Sequence, residues 1–143
     1  MTMLITEGLF RIDQGRTVLF ASRRRSSGAV KFPAERPELF DDPEIRDDIE
    51  SIELSTEGTL YTYTTQQFPP PLPYKGNRDP KTFAPYVVGF VELPEGILVE
   101  TLVVGVAADQ LTIGQRLVST TTTLETEDGK SLTTFAFRPA GND

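Results

Sequence analysis

Three consecutive arginines, Arg23, Arg24 and Arg25, are the side chains best suited to bind another molecule, and they lie in a short polar stretch before Gly28. A guanidinium group presents a planar fork of donors that matches the oxygens of a phosphate or a carboxylate. One interpretation is a contact to the phosphates of a ligand. The alternatives are a solvated turn, or internal pairing with the acidic segment after Pro33.

The sequence offers no recognisable catalytic constellation. It contains no cysteine and no histidine, which removes thiolate nucleophiles, disulfides and the usual general base near neutral pH. Any metal would have to be held by carboxylate oxygens, as calcium or magnesium can be. The adjacent pairs Asp41-Asp42 and Asp47-Asp48 project in different directions, so they favour solubility over acid–base catalysis.

Two tyrosines, Tyr61 and Tyr63, are spaced as neighbours on one face of a strand. Such a pair could stack nucleic-acid bases or pack against a loop or a partner protein. The formal net charge of −7 repels a phosphate backbone and favours packing, so we expect no nucleic-acid partner. Phe135 and Phe137 also share a face and are expected in the core.

The length of 143 residues fits one domain, or one domain with a small appendage. No apolar run is long enough to span a membrane. The first ten residues lack the basic region and cleavage site of a secretory signal. We therefore expect a cytoplasmic protein with no membrane partner.

The first 50 residues carry mixed signals. Ile5, Leu9 and Ile12 recur at spacings of four and three, which predicts a short helix that ends at Gly15. Residues 17–20 predict a strand, and Ile45 and Ile49 predict a second short helix or turn. The acidic stretch between residues 35 and 53 is expected to form a solvated face.

The remainder, residues 51–143, is rich in predicted strands: 51–55, 59–65, 86–93, 97–104, 117–125 and 132–139. Turns at residues 94–96 and 127–130 predict two hairpins, and a bend or bulge is expected at Glu57-Gly58. The proline-rich segment 66–81 is either an arm that binds a partner or a mobile surface loop. These strands predict a closed, mainly β, five-stranded OB-type barrel, with a small sandwich as the alternative.

Residues 21–33 have the shape of half a zinc ribbon: a strand end, a tight turn through Gly28 and a strand restart. With the segments 58–64, 83–93, 111–117 and 137–139, they make the chain resemble the OB-fold, acyl-CoA-associated proteins with an N-terminal rubredoxin-like zinc ribbon. The resemblance covers nearly the whole chain. It implies a helix and ribbon-like segment over residues 1–50 and a barrel over residues 51–143.

The resemblance also implies a function. Members of this family are non-catalytic subunits that bind a thiolase-like or ketosynthase-like enzyme, stabilise it and help shape the acyl-CoA passage; others belong to hydratase or aldolase complexes. A hetero-oligomer is therefore expected, with acyl-CoA bound at the interface and no cofactor of its own. Candidate contacts to coenzyme A phosphates or to the partner are Arg23, Arg24, Arg25, Tyr61, Tyr63 and Tyr86.

The sequence departs from the family at the ribbon. Arg24 and Ser27 stand where the first cysteine pair would be, and residues 37–44 contain no cysteine for the second pair. Zinc is therefore not expected, and the segment must be held by packing or by a partner. Two other functions remain open: a stand-alone OB module for oligonucleotides, and an independent acyl-CoA hydratase that works with a carboxylate alone.

Overall fold

The computed structural model describes residues 2–4, 9–66, 86–125, 129 and 131–141. The described part of the N-terminal region is mostly strand: β1 (Thr2–Leu4), β2 (Phe10–Asp13), β3 (Arg16–Arg24), β4 (Val30–Lys31) and β5 (Ile49–Glu53). β3 is the centre of a small antiparallel sheet, since it pairs with β2, β4 and β5. A 3-10 helix (Pro37–Leu39) and a short helix, α1 (Pro43–Asp48), connect β4 to β5. The strand predicted at 17–20 and the helix predicted around Ile45 are confirmed.

The predicted helix through Ile5, Leu9 and Ile12 is wrong where the structure describes it, because β2 occupies residues 10–13. Gln14 and Gly15 both have positive φ, 50° and 81°, which is the geometry of a two-residue hairpin turn. That turn sets β2 against β3, so Phe10 is buried and Ile12 stays 54% exposed. The turn and the pairing with β3 therefore override a helical spacing of only three apolar residues. Residues 5–8 lie outside the described residues.

The rest of the described chain forms a closed five-stranded barrel, as predicted for an OB fold. Its strands are β6 (Glu57–Gln66), β7 (Tyr86–Leu93), β8 (Ile97–Val103), β9 (Arg116–Glu125) and β10 (Ser131–Pro139). They follow the order β10-β8-β7-β6-β9, and the β9–β10 hairpin closes the ring. β8 pairs in parallel with β10 and antiparallel with β7. Most of the proline-rich segment, from residue 67 onward, lies outside the described residues.

One hydrophobic core serves both the barrel and the N-terminal sheet. Inward-facing barrel residues such as Leu60, Val91 and Phe137 are completely buried. Phe10 and Leu19 of the N-terminal sheet belong to the same cluster. At the junction, the Thr17 amide donates to Ser119 Oγ at 3.1 Å, and the Ser119 hydroxyl donates to the Thr17 carbonyl at 2.7 Å. Apolar packing and buried hydrogen bonds thus join β3 to β9.

No helix among the described residues is long and apolar enough to cross a membrane.

Candidate functional site

The arginine run lies at the end of β3, where it pairs with acidic side chains. Arg23 donates from Nε to Glu50 Oε1 at 2.7 Å and makes a second contact to the same oxygen from Nη2. Arg25 approaches the other oxygen, Glu50 Oε2, at 3.2 Å. The two side chains are 49% and 62% exposed, so Glu50 lies between two arginines that still face solvent.

Arg24 is in a different environment. Its Nε and Nη2 donate to the two carboxylate oxygens of Glu35 at 2.8 and 2.9 Å, a bidentate pair. Its Nη1 lies 3.7 Å from Asp48 Oδ2, and its guanidinium group lies 5.5 Å from the centre of the Phe40 ring. The pair with Glu35 raises the pKa of Arg24 and lowers the pKa of Glu35. Both groups are therefore held in their charged forms.

The polar turn that follows is closed by hydrogen bonds. Asp48 accepts from the Ser26 amide at 2.8 Å and from the Ser26 hydroxyl at 2.7 Å, and these bonds lower the pKa of Asp48. The Gly28 amide donates to the Arg24 carbonyl at 2.7 Å, and the Ala29 amide donates to Ser27 Oγ at 3.2 Å. The predicted turn is present, and Ser27 helps to close it.

The residues present do not fit the zinc site of a ribbon. Arg24 and Ser27 stand where the resemblance to a ribbon would place the first cysteine pair, and a guanidinium group repels a metal cation. Among the described residues, no three acidic side chains come close enough to hold a metal ion.

An apolar cleft lies where the N-terminal region meets the barrel. It has a volume of about 510 Å³. Its lining residues come from the position just before β2, from the connection between β4 and α1, and from β7, β8 and β10. They are Leu9, Phe32, Pro33, Tyr86, Val88, Glu100, Thr101, Leu102, Thr134 and Phe135. A cavity of this size is in the range of small-molecule sites.

Aromatic contacts build one side of this cleft. Phe135 packs edge-on against Phe32 and Phe10, with ring centres 5.6 and 6.0 Å apart. The sequence analysis placed Phe135 in the core, and the structure shows it half-buried at the edge of that core, while Phe137 is completely buried. The N-terminal sheet and the barrel both contribute to the cleft wall.

The three candidate tyrosines do not form one surface. Tyr61 lies at a register shift in β6 between Leu60 and Thr62, a β-bulge, and it is 56% exposed. Because the extra residue resets the strand's alternation, Tyr63 turns inward and packs against the core. The expectation that Tyr61 and Tyr63 share a face is therefore wrong, and the bulge lies later than the Glu57-Gly58 position predicted. Tyr86 begins β7 and lines the cleft.

The chemistry of the described cleft is that of a binding surface. Glu100 is its one ionisable carboxylate, and its hydroxyl groups come from Tyr86, Thr101 and Thr134. Thr101 Oγ1 already donates to the Leu102 carbonyl at 3.1 Å. None of the lining side chains pairs a nucleophile with a base. This arrangement suits an apolar ligand or a partner surface.

Comparison with known proteins identifies the family. Residues 51–122, half of the chain, match the model of the ChsH2 C-terminal OB-fold domain. The chain belongs to this family. The match begins within β5 and ends within β9, so it covers most of the barrel.

Two relatives of this ChsH2-type OB domain carry functional names. A chain in the solved structure of the Ltp2-ChsH2(DUF35) aldolase is 28% identical, with a TM-score of 0.53, and the match covers 87% of this chain and 86% of that one. The probable enoyl-CoA hydratase alpha subunit of Thermomonospora curvata is 34% identical over 93 residues, which is 65% of this chain. The chain spans about a quarter (25%) of the length of that curated relative.

Internal pairing of the arginines with the acidic segment after Pro33, one of the alternatives that the sequence left open, is confirmed, but the sequence did not show which carboxylates each arginine meets. Glu35 and Asp48 are 11 and 24 positions from Arg24, and nothing in their spacing indicates that they converge on it. The expectation that packing holds the ribbon-like segment is confirmed for Phe32, which packs against the core, but its place in the cleft wall is not predicted by the sequence. The only sequence signal for this side of the cleft is a hydrophobic residue followed by proline directly after a strand.

Proposed function

We propose that this ChsH2-type OB domain is a non-catalytic accessory subunit of an acyl-CoA-processing complex. The observation that carries the proposal is the match, over 87% of the chain, to a component of an aldolase assembly. The similarity to a hydratase alpha subunit supports the same role. In this proposal the partner enzyme supplies the reactive groups, and this chain supplies surface and stability.

The geometry supports a binding role. The described cleft is apolar, and its lining side chains include no nucleophile–base pair. In the assembled complex, the cleft would contribute to the passage for the acyl-CoA substrate at the interface. No cofactor of its own is required, and the working compartment is the cytoplasm.

The type of partner follows from the relatives' names. The family resemblance suggested a thiolase-like or ketosynthase-like enzyme. The names of the similar proteins support an aldolase or an enoyl-CoA hydratase better. We therefore propose a partner that acts on an acyl-CoA by hydration or by carbon–carbon bond cleavage.

Binding of oligonucleotides is the weaker alternative. An OB barrel binds single strands with exposed aromatic side chains on a basic surface. Here Tyr63 packs inward, and the net charge is −7. We expect no shift of labelled single-stranded DNA in a gel at low salt, and a salt-sensitive shift would favour the alternative over the accessory role.

The proposal is tested by pairwise co-expression. The tagged chain is produced with an aldolase-like, a hydratase-like or a thiolase-like polypeptide from its source organism, and each mixture is analysed by size-exclusion chromatography with light scattering. We expect a stable complex with the aldolase-like or hydratase-like polypeptide. A complex with the thiolase-like protein alone would restore the first interpretation, and absence of any complex would contradict the accessory role.

A further inference from the structure

The segment between β3 and β5 keeps its shape without a core of its own. None of residues 23–48 is buried. In a zinc ribbon a metal supplies the missing cohesion, since a structural zinc ion contributes folding free energy directly. The residues here do not fit zinc. Val30 and Phe32 pack against the shared core, but none of the apolar residues of 34–48 does, so that stretch needs another cross-link.

The Arg24 side chain contacts three separate parts of this segment. It binds Glu35 in the connection after β4, approaches Asp48 at the end of α1 and faces Phe40 between the two short helices. Its backbone also closes the turn, because its amide donates to the Ala29 carbonyl at 2.9 Å. The contacts therefore tie the turn after β3 to both ends of the connection between β4 and β5.

The Arg24 cluster is better shielded than its neighbours. The side chains of Arg24, Glu35 and Asp48 are 25%, 12% and 19% exposed. Arg23 and Arg25 are about half exposed or more, at 49% and 62%. Exposed ion pairs contribute little because water and salt screen them, whereas shielded bidentate pairs are stronger and fix geometry.

We propose that Arg24, with Glu35, Asp48 and Phe40, is a metal-independent clasp that takes the place of the ribbon's zinc. The guanidinium fork supplies directional bonds in several directions from one point, as a metal ion does. Ser26 completes the clasp, because it fixes Asp48 from the turn side with two hydrogen bonds.

The charges around the clasp are balanced. Glu35 also faces Lys31, whose Nζ lies 3.9 Å from Oε2, and Asp48 adds a second negative charge nearby. Two carboxylates thus meet one arginine and one exposed lysine. Removal of Arg24 leaves two carboxylates close together with only Lys31 beside them, so the cluster should open.

The clasp also controls one wall of the apolar cleft. Glu35 follows Phe32 and Pro33 by two to three residues, and its amide donates to the buried Ser22 hydroxyl at 2.8 Å. Because Glu35 is held from both its backbone and its side chain, Phe32 stays against Phe135. Opening of the clasp should therefore loosen the cleft wall before it affects the barrel.

Hydrogen–deuterium exchange measured by mass spectrometry on the full chain tests this inference. The variants are Arg24→Met, which keeps the apolar stem but loses the fork, and Arg24→Lys, which keeps the charge. Arg25→Met is the matched control, because Arg25 belongs to the same run but is more exposed and pairs with Glu50. Peptides from residues 29–48 report the clasp, and peptides from 97–103 report the barrel.

We expect Arg24→Met to speed exchange in residues 29–48 by about ten-fold or more, with residues 97–103 unchanged. Arg24→Lys should fall between it and wild type, because a lysine cannot form the bidentate pair. Equal exchange in Arg24→Met and Arg25→Met would overturn the inference, as would faster exchange throughout the barrel. Wild-type exchange in Arg24→Lys would overturn the role of the fork.

Treatment with a chelator distinguishes the Arg24 clasp from a bound metal ion. Treatment of the wild-type chain with EDTA, followed by exchange measurement, should leave residues 29–48 as protected as before. A chelator-induced loss of protection in that segment would show that a metal holds it and would overturn the inference. This result does not depend on the partner enzyme, so the inference and the proposed function can fail separately.

Discussion

The outer N-terminal segment, residues 23–48, and the barrel are stabilised by different kinds of interaction. The barrel buries side chains such as Leu60, Val99 and Phe137 completely. The outer segment buries none and depends on the Arg24 clasp and on hydrogen bonds in its turn. Apolar burial is insensitive to pH and only weakly affected by single polar substitutions, whereas ion pairs depend on the ionisation of each partner.

This difference distinguishes the part of the N-terminal region that shares the barrel's hydrophobic core from the part that does not. The inner strands β2, β3 and β5 share the barrel's core through Phe10, Leu19 and Leu54. Of the stretch beyond them, Val30 and Phe32 pack against the edge of this core, whereas the apolar residues of 34–48 do not belong to it. Loss of the clasp should therefore open one surface segment and the adjacent cleft wall, while loss of a core side chain should weaken the whole molecule.

The largest expected effect is on the barrel. Replacement Phe137→Ala removes a completely buried ring and leaves a cavity, so the free energy of unfolding should fall by about 3–5 kcal/mol. Urea denaturation followed by circular dichroism measures this change. The exposed Tyr61→Ala is the aromatic control and should change stability by less than about 0.5 kcal/mol. Similar losses in both variants would contradict the assignment of the core.

A glycine substitution in the barrel should have the next largest effect. At Gly58 a Cβ atom would lie 2.6 Å from Val91 Cγ1 and 2.7 Å from the Glu92 carbonyl oxygen. Because a backbone atom cannot rotate away, Gly58→Ala should lower the free energy of unfolding by about 1–3 kcal/mol. Gly141→Ala is the control, since nothing lies within 4 Å of its Cβ. A neutral Gly58→Ala would show that β6 and β7 are not packed as described.

Acid should affect the outer segment before the barrel core. The clasp lowers the pKa of Glu35 and Asp48 below their ordinary values of 4.5 and 3.8. The stability that these groups contribute is therefore complete above those ordinary values and is lost as the pH falls through the lowered ones. In ¹H–¹⁵N spectra, amide resonances of residues 29–48 should move toward those of Arg24→Met as the pH is lowered.

Resonances of residues 97–103 are the internal reference for that titration and should keep their dispersion over the same range. The opposite order, with the barrel strand lost while residues 29–48 remain ordered, would contradict the comparison.

The smallest effect on stability is expected from the two outer arginines. The double variant Arg23→Ala/Arg25→Ala should change the free energy of unfolding by less than about 0.5 kcal/mol, since these pairs are exposed. We still propose these side chains as contacts to coenzyme A phosphates or to the partner. In the assembled complex the variant should then raise the KM for acyl-CoA and leave kcat unchanged, and an unchanged KM would exclude the contact.

Much of the barrel could be predicted from the sequence. The apolar, β-prone runs 86–93 and 97–104 and the turn signals at 94–96 and 127–130 predict two hairpins that the structure contains, although residues 127, 128 and 130 are not described. Such patterns are local, and a strand needs little else to be recognised. The barrel's closure followed from the number of strands and from the need to cover edges.

The features that the sequence did not reveal depend on distant contacts. The β2–β3 hairpin was mistaken for a helix because three apolar residues suit either structure, and the Gln14-Gly15 turn carries only a weak signal. The bulge at Tyr61 and the convergence of Glu35 and Asp48 on Arg24 arise from packing between segments. No spacing rule within a segment reports such convergence.

A turnover measurement with separated components tests most directly whether this chain is a non-catalytic accessory subunit. The chain alone, the partner enzyme alone and an equimolar mixture are assayed with one acyl-CoA substrate. We expect no turnover by the chain alone, and higher turnover or longer thermal survival of the partner in the mixture. Turnover by the chain alone, at a rate that the mixture does not exceed, would contradict the non-catalytic accessory role.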